Sequence, residues 1–260
     1  SYESGSGASS LPVVAVGRRA AEAMLARANT DAGKLATRLD AGEMVAGIPL
    51  TGVKVGANIS LIYEKRNGFN VLGRLDLNGP ADAPALVIGA HLDHLGRGEA
   101  SGSLARGDER GQIHHGADDN ASGVAALLEI AEYFAAERAA GRLQGVRDVV
   151  FAAWEGEELG LLGSSHFVED AKKQAGKDTL AGAYSAYLNM DMVGRLKDSL
   201  VLQGVGSSSV WTREVEQRNA VIGLPVKTVS DTYLPTDATS FYIAGVPILA
   251  AFTGSHEEYH

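Results

Sequence analysis

Four short apolar runs in this chain each lead to a side chain that can bind a metal ion. Residues 85–89 lead to His91, 148–153 to Glu157, 186–190 to Asp191, and 246–252 to His256 and His260. Continuous apolar runs of this length suit strands buried on both faces. Helical patterns lie between them: 122–138, with Val124, Leu127, Leu128, Ala131 and Phe134 on one face, then 159–168, 210–222 and a short one at 239–244. Two more strands are expected at 200–203 and 226–229. Strands alternating with helices predict an α/β fold, a sheet covered on both faces. In open sheets of this kind sites form beyond the carboxyl ends of strands. Four such ends carrying polar groups predict one convergent site.

The polar groups themselves point to metal chemistry. Asp118 and Asp119 sit on a glycine-bounded loop, Gly116-Ala117-Asp118-Asp119-Asn120-Ala121-Ser122-Gly123, ahead of the first long helix. A buried anion cannot stay ionised without a partner, and a cation is one such partner. His91 and Asp93 are two residues apart, so at a strand end they share a side. Glu157 and Glu158 are adjacent like charges, costly in a tight site unless a cation offsets them. At a strand-to-helix turn their side chains diverge, so one can reach a metal while the other addresses a water. Asp191, between Met190 and Met192, is hard to leave unpaired. Two histidines and three carboxylates suit two zinc ions sharing one aspartate.

Composition narrows the alternatives. The 260 residues carry 32 acidic and 23 basic side chains, a net charge of −9, which disfavours a nucleic-acid partner. The absence of cysteine excludes thiolate zinc sites and cysteine nucleophiles. No apolar stretch approaches the roughly 20 residues of a membrane span. Gly204-Val205-Gly206-Ser207-Ser208-Ser209 imitates a dinucleotide loop but has serine at the third glycine position, and no Gly-x-Ser-x-Gly elbow is present. His91-Leu92-Asp93-His94 is similar to a metallo-β-lactamase string, but Gly89 stands where that motif needs another histidine. His114, His115 and His166 read as loop or surface residues, and His94 as a residue that could line the site. Thr236 and Asp237 read equally well as a helix cap and as a pocket border.

The chain resembles the zinc-dependent exopeptidases of metallopeptidase family twenty-eight, which include bacterial leucyl-type aminopeptidases. The strings that carry the resemblance are Gly89-Ala90-His91-Leu92-Asp93-His94, the Gly116–Gly123 loop quoted above, Trp154-Glu155-Gly156-Glu157-Glu158-Leu159-Gly160-Leu161-Leu162-Gly163-Ser164, Asn189-Met190-Asp191-Met192-Val193-Gly194, and Phe252-Thr253-Gly254-Ser255-His256-Glu257-Glu258-Tyr259-His260. The resemblance implies a mixed, mostly parallel sheet of the phosphorylase/hydrolase-like kind and two zinc ions per chain. It assigns His91 and Asp191 to one zinc, Glu158 and His260 to the other, and Asp118 to the bridge between them. Glu157 becomes the general base and Asp93 the residue that holds His91 in its tautomer, while Asp119 falls beside the bridge and is no ligand.

The implied substrate is a peptide with a free N-terminus, and the implied location is secreted or periplasmic. A carboxypeptidase on the same scaffold and a non-catalytic receptor-like relative are the alternatives; a glutaminyl cyclase, which works with one zinc, is disfavoured by the complete two-metal set. Residues 51–260 are expected to form the catalytic domain without its usual C-terminal end, because the sequence stops at His260; His256 is the second candidate for the last ligand. Residues 1–50 are expected to be an N-terminal segment, the remnant of a protease-associated domain.

Overall fold

The computed structural model describes residues 16–56, 58, 66–80, 82–98, 102–143, 145 and 147–260. The chain divides into two units, one within Gly7–Arg66 and one containing Asn67–His260. By its contacts the chain passes from one unit to the other at residue 67. The described part of the first unit holds helices α1 (Arg18–Arg27) and α2 (Ala32–Asp40). Helix α2 begins at Asp31, whose carboxylate accepts the Lys34 amide proton at 2.8 Å and so satisfies an otherwise free donor. The sequence also predicts a short strand at 11–16 and a hairpin of the runs 53–65 and 69–77 about Asn67-Gly68; most of the first, and most of 57–65, lie outside the described residues. Residues 53–56 are not a strand.

The second unit is built on seven strands: β1 (Val71–Leu75), β2 (Ala85–His91), β3 (Val149–Trp154), β4 (Tyr184–Met190), β5 (Leu200–Gln203), β6 (Val226–Val229) and β7 (Ile248–Phe252). Their order across the sheet is β1-β3-β2-β4-β7-β5-β6. The four central strands β3, β2, β4 and β7 run parallel. Strand β1 is antiparallel to β3, and the parallel pair β5 and β6 opposes β7. The fold is thus the mixed, mostly parallel sheet expected. Its four parallel strands end at the same edge, and those are the four ends that carry the polar residues.

The second unit also holds helices α3 (Gly123–Ala139), α4 (Leu162–Ala175), α5 (Trp211–Ile222) and α6 (Ala238–Ile243); α3 contributes to the core on one face of the sheet, and α4 and α6 to the core on the other. Side chains on a strand alternate between faces, so neighbours on β2 enter different cores. Val87 packs with Tyr187, Ile248, Val168 of α4 and Phe241 of α6. Ile88 packs on the other side with Phe151 and Leu127 of α3. Helix α3 turns Val124, Leu127, Ala131 and Phe134 to that core but leaves Leu128 64% exposed, at the margin of the apolar stripe.

Two local features decide how the sheet edge is shaped. At Gly89 a Cβ would lie 2.6 Å from both the Trp154 Nε1 and the Tyr187 hydroxyl, so only glycine lets these side chains meet across β2. There the indole N–H donates to Tyr187 at 2.9 Å, and the Tyr187 hydroxyl donates to Asn189 at 2.6 Å. Tyr187 also stacks on Phe241 with ring centroids 4.1 Å apart. The second feature is the late start of α4, at residue 162 rather than 159. Gly160 and Leu161 hold left-handed backbone angles (φ +104° and +60°), which no right-handed helix can include. Glu157 and Glu158 consequently stay on a turn between β3 and α4.

Candidate metal centre

The loop before α3 is fastened to the chain leaving β4 by three alternate side chains. Asp118 accepts the Gly194 amide at 2.7 Å. Asn120 donates to the Met190 carbonyl at 3.0 Å and accepts from the Gly123 and Met192 amides. Ser122 accepts from the Val193 amide at 3.0 Å. Asp119, between two of these anchors, turns the other way. Gly116 makes room for the turn: it has φ +59°, and a Cβ there would press on the Asp119 carbonyl oxygen at 2.6 Å and the His94 ring at 2.7 Å.

Asp119 therefore faces two clusters at once. Its Oδ1 is 3.1 Å from His91 Nε2, and its Oδ2 is 3.1 Å from His260 Nε2. Around His91 stand Asp191, 3.5 Å from Nε2, and Glu157. Around His260 stand Glu158, 3.5 Å from Nε2, and His94. Within His91–Glu157–Asp191, and within His94–Asp119–Glu158, one donor atom per residue lies within 4.8 Å of the others. Both His91 and His260 direct Nδ1 at a main-chain carbonyl, that of Asp93 and that of Gly102, each at 3.0 Å. The carbonyl accepts the Nδ1 proton and leaves Nε2 to address the centre, the arrangement a metal-binding imidazole needs.

The carboxylate of Asp93 does something else. Its two oxygens accept the backbone N–H groups of Glu157 at 3.0 Å and Glu158 at 3.2 Å, capping the turn that carries both glutamates. Its closer oxygen is 3.7 Å from His91 Nδ1. The tautomer of His91 is thus set by the main-chain oxygen of Asp93, whereas the side chain was expected to do it. The second correction concerns the bridge. The carboxylate between the two clusters belongs to Asp119, not Asp118. Asp118 is committed to Gly194 and to His256, whose Nε2 lies 2.9 Å from its Oδ2. That pairing also takes His256 away from the centre, so the histidine from this segment that reaches the clusters is His260. Thr236 and Asp237 divide similarly: Thr236 lines the cavity, and Asp237 makes no side-chain cap of α6.

The electrostatics are those of buried charge awaiting compensation. Burial alone would lower the His91 pKa, but its bonds to Asp119 and Asp191 dominate and push it up to about 12. Burial raises Glu157 to about 9; Asp237, Asp191 and Glu158 add to this, and His91 opposes it. Asp237 is 1% exposed with neither oxygen at hydrogen-bonding geometry. Burial pushes its carboxyl up to about 7 against the pull of the Ser164 hydroxyl and His91. Neighbouring carboxylates thus raise the pKa of His91, and burial that of Glu157, well above neutrality. Imidazole and carboxylate donors are normal for zinc, and the charge deficit is one that divalent cations fill. The residues present fit such ions.

A cavity of about 410 Å³ opens on the centre, within the usual range for small-ligand sites. His91, Asp119, Glu157 and Asp191 form its polar end, and Met192 and Phe252 belong to its apolar wall. The expectation put Asp118 at the bridge, one position from the carboxylate that lies between the two clusters. The signal was present: Asp118, Asn120 and Ser122 recur every second residue as hydrogen-bonding side chains, which sets Asp119 on the opposite side.

The chain belongs to peptidase family M28, whose model matches residues 70–260. Over 188 residues it is 29% identical to leupeptin-inactivating enzyme 1 of Streptomyces exfoliatus, covering 72% of this chain and 36% of that protein. Over 136 residues it is 31% identical to an aminopeptidase of Pseudomonas aeruginosa, covering 52% of this chain and 20% of the other. The chain thus spans about a third or less of these relatives' own lengths. Among solved structures it is similar to BSAP, a zinc aminopeptidase from Bacillus subtilis, with a TM-score of 0.52 and 23% identity over 74% of this chain and 41% of that one. The resemblance read from the sequence motifs therefore holds at the level of family and fold. Among the described residues no helix is long and apolar enough to cross a membrane.

Proposed function

We propose that this chain carries the catalytic centre of a zinc-dependent aminopeptidase, with His91 and Asp191 on one ion, Glu158 and His260 on the other, and Asp119 between them. The observation that carries the reading is the division of Asp119, one oxygen to each histidine at 3.1 Å. When bound, two such ions polarise the scissile carbonyl and acidify the attacking water. Glu157, on the cavity wall, accepts the proton of that water as the new C–O bond forms. It then delivers the proton to the amine nitrogen as the C–N bond breaks. The Asp93 carboxylate holds the turn so that Glu157 and Glu158 keep diverging. Asp118 and Asn120 keep Asp119 turned to the centre. The substrate is a peptide with a free amino terminus. A location outside the cytoplasm agrees with the name of one relative, the probable lipoprotein aminopeptidase LpqL of Mycobacterium tuberculosis.

The test uses the full chain loaded with zinc and offered three substrates: an aminoacyl anilide, its N-blocked form, and a peptide cleavable only from its carboxyl end. Turnover of the first alone, abolished by chelator and restored by zinc, is the expected result. Cleavage confined to the carboxyl end would establish a carboxypeptidase, and metal uptake without cleavage of any of them a non-catalytic relative. Glu157→Gln should retain both ions and lose roughly 10²–10⁴ of kcat. Undiminished kcat in that variant removes Glu157 from its role.

A further inference from the structure

Glu158 uses its two oxygens differently. Oε2 faces the centre, 3.5 Å from His260 Nε2. Oε1 is turned away and meets His94 Nδ1 at 2.9 Å. We propose that His94 is a positioning residue: its Nδ1–H donates to Oε1 of Glu158 and so leaves Oε2 as the oxygen that would hold the second ion. The inference rests on the reading of the site given above.

Three observations separate this role from that of a further ligand. First, His91 and His260 send Nε2 to the centre with Nδ1 on a carbonyl, while His94 is turned about, with Nδ1 on the carboxylate. Second, His94 is seated by contacts that leave its ring little freedom. It is only 11% exposed in its side chain, lies edge-on to His260 with centroids 5.7 Å apart, and rests where a side chain at Gly116 would be. Third, the backbone amide of Glu158 is already held by Asp93. One end of this residue is therefore fixed through the main chain and the other through Oε1, leaving Oε2 as the free donor. Swinging to chelate with both oxygens would cost this carboxylate its bond to His94. It presents one oxygen in one direction, and removing the partner of a ligand in such a pair typically weakens metal binding 10–100-fold. The residue two places beyond Leu92 thus acts on the second ion without touching it.

The test compares wild type, His94→Ala and His94→Asn in the full chain, measuring zinc stoichiometry and affinity by competition with a chelator, and the visible spectrum of the cobalt-loaded protein. An asparagine amide can donate from about the place of Nδ1. Expected are two ions in the wild type, a second ion bound 10–100-fold more weakly in His94→Ala with the first unchanged, and most of that loss recovered in His94→Asn. The cobalt bands of His94→Asn should match the wild type, since no ligand has changed. Unchanged affinity in His94→Ala, or a His94→Asn variant as weak as His94→Ala, overturns the proposal; the latter would make His94 a ligand. Should His94→Ala fail to fold, the cobalt spectrum of His94→Asn decides alone, altered bands counting against the positioning role. Wild type that takes up no divalent cation sinks the reading of the site itself, and the role of His94 with it.

Discussion

The two histidines that flank Asp119 are held by different parts of the architecture. His91 is the last residue of the central strand β2 and is 2% exposed. Its neighbour Asp191 follows directly on β4, which pairs with β2, so the register of the sheet sets their separation. His260 lies eight positions beyond the end of β7, on irregular chain, and is positioned by the Gly102 carbonyl and by Asp119. Its companion Glu158 sits on a turn secured by Asp93 and His94. One half of the centre is thus built by backbone pairing and core packing, the other by polar contacts between loops. Damage to the first half should come from changes in the core, and damage to the second from changes in hydrogen-bonding side chains at one remove from the ions.

The largest effect should come at the residue both halves share. Asp119→Ala should lose both zinc ions and reduce kcat/KM by 10³ or more, while Asp118→Ala, which only loosens the loop, should keep measurable zinc and lose on the order of 10-fold. Metal analysis of the two purified variants decides, and the reverse ranking would return the bridge to Asp118. The halves themselves are separated by His91→Ala and His260→Ala. Each should bind one ion fewer, but only His91→Ala should also destabilise the metal-free protein, by several degrees in Tm, because it leaves Asp119 and Asp191 buried without their cation. Calorimetry in buffers of different ionisation enthalpy sharpens the same contrast. His91 and Glu157 are protonated at pH 7, with pKa values pushed up to about 12 and about 9. Zinc binding should therefore release about two protons and tighten as pH rises through neutrality. His91→Ala should release fewer protons and His260→Ala as many as wild type.

The smallest effect lies at the far edge of the sheet, away from both halves. There the Leu77 amide and the Arg74 guanidinium hold the Asp148 carboxyl below the usual carboxylate range. A depressed folded-state pKa contributes stability that is present above the unfolded value, near 4, and is lost as pH falls through the folded one. Asp148→Asn should lower Tm on the order of 2 °C at pH 7, with the gap closing in acid and metal binding untouched.

The strand-built half was the legible half. Residues 200–203 and 226–229 were read from the sequence with the bounds they have in the structure, and the apolar runs of β2 and β4 led to the polar groups found at their ends, His91 and Asp191. Period-two burial and continuous apolar runs are local signals, so β2 and β4 and their terminal His91 and Asp191 could be read directly. The loop-built half was not legible in the same way. Whether Asp118 or Asp119 turns inward depends on what β4 offers to the loop, and β4 lies some seventy residues away. The role of Asp93 was obscured for the same reason: its side chain serves the turn at Glu157 and Glu158, distant in sequence. Leu128 and the start of α4 were misjudged by smaller margins, at the edge of a stripe and beside two left-handed residues.

The bare position at Gly89 has a further consequence. Through it, an unbroken run of contacts links Trp154 on one strand to Tyr187 and Asn189 on another, one turn of the pleat short of Asp191. Adding even a methyl group there would wedge apart the two neighbouring strands just beneath the tips that carry the chemistry. A substitution with no polar atom, outside the reactive pocket, would then blunt it by tilting its foundations, and the harm would be invisible to any survey confined to charged side chains.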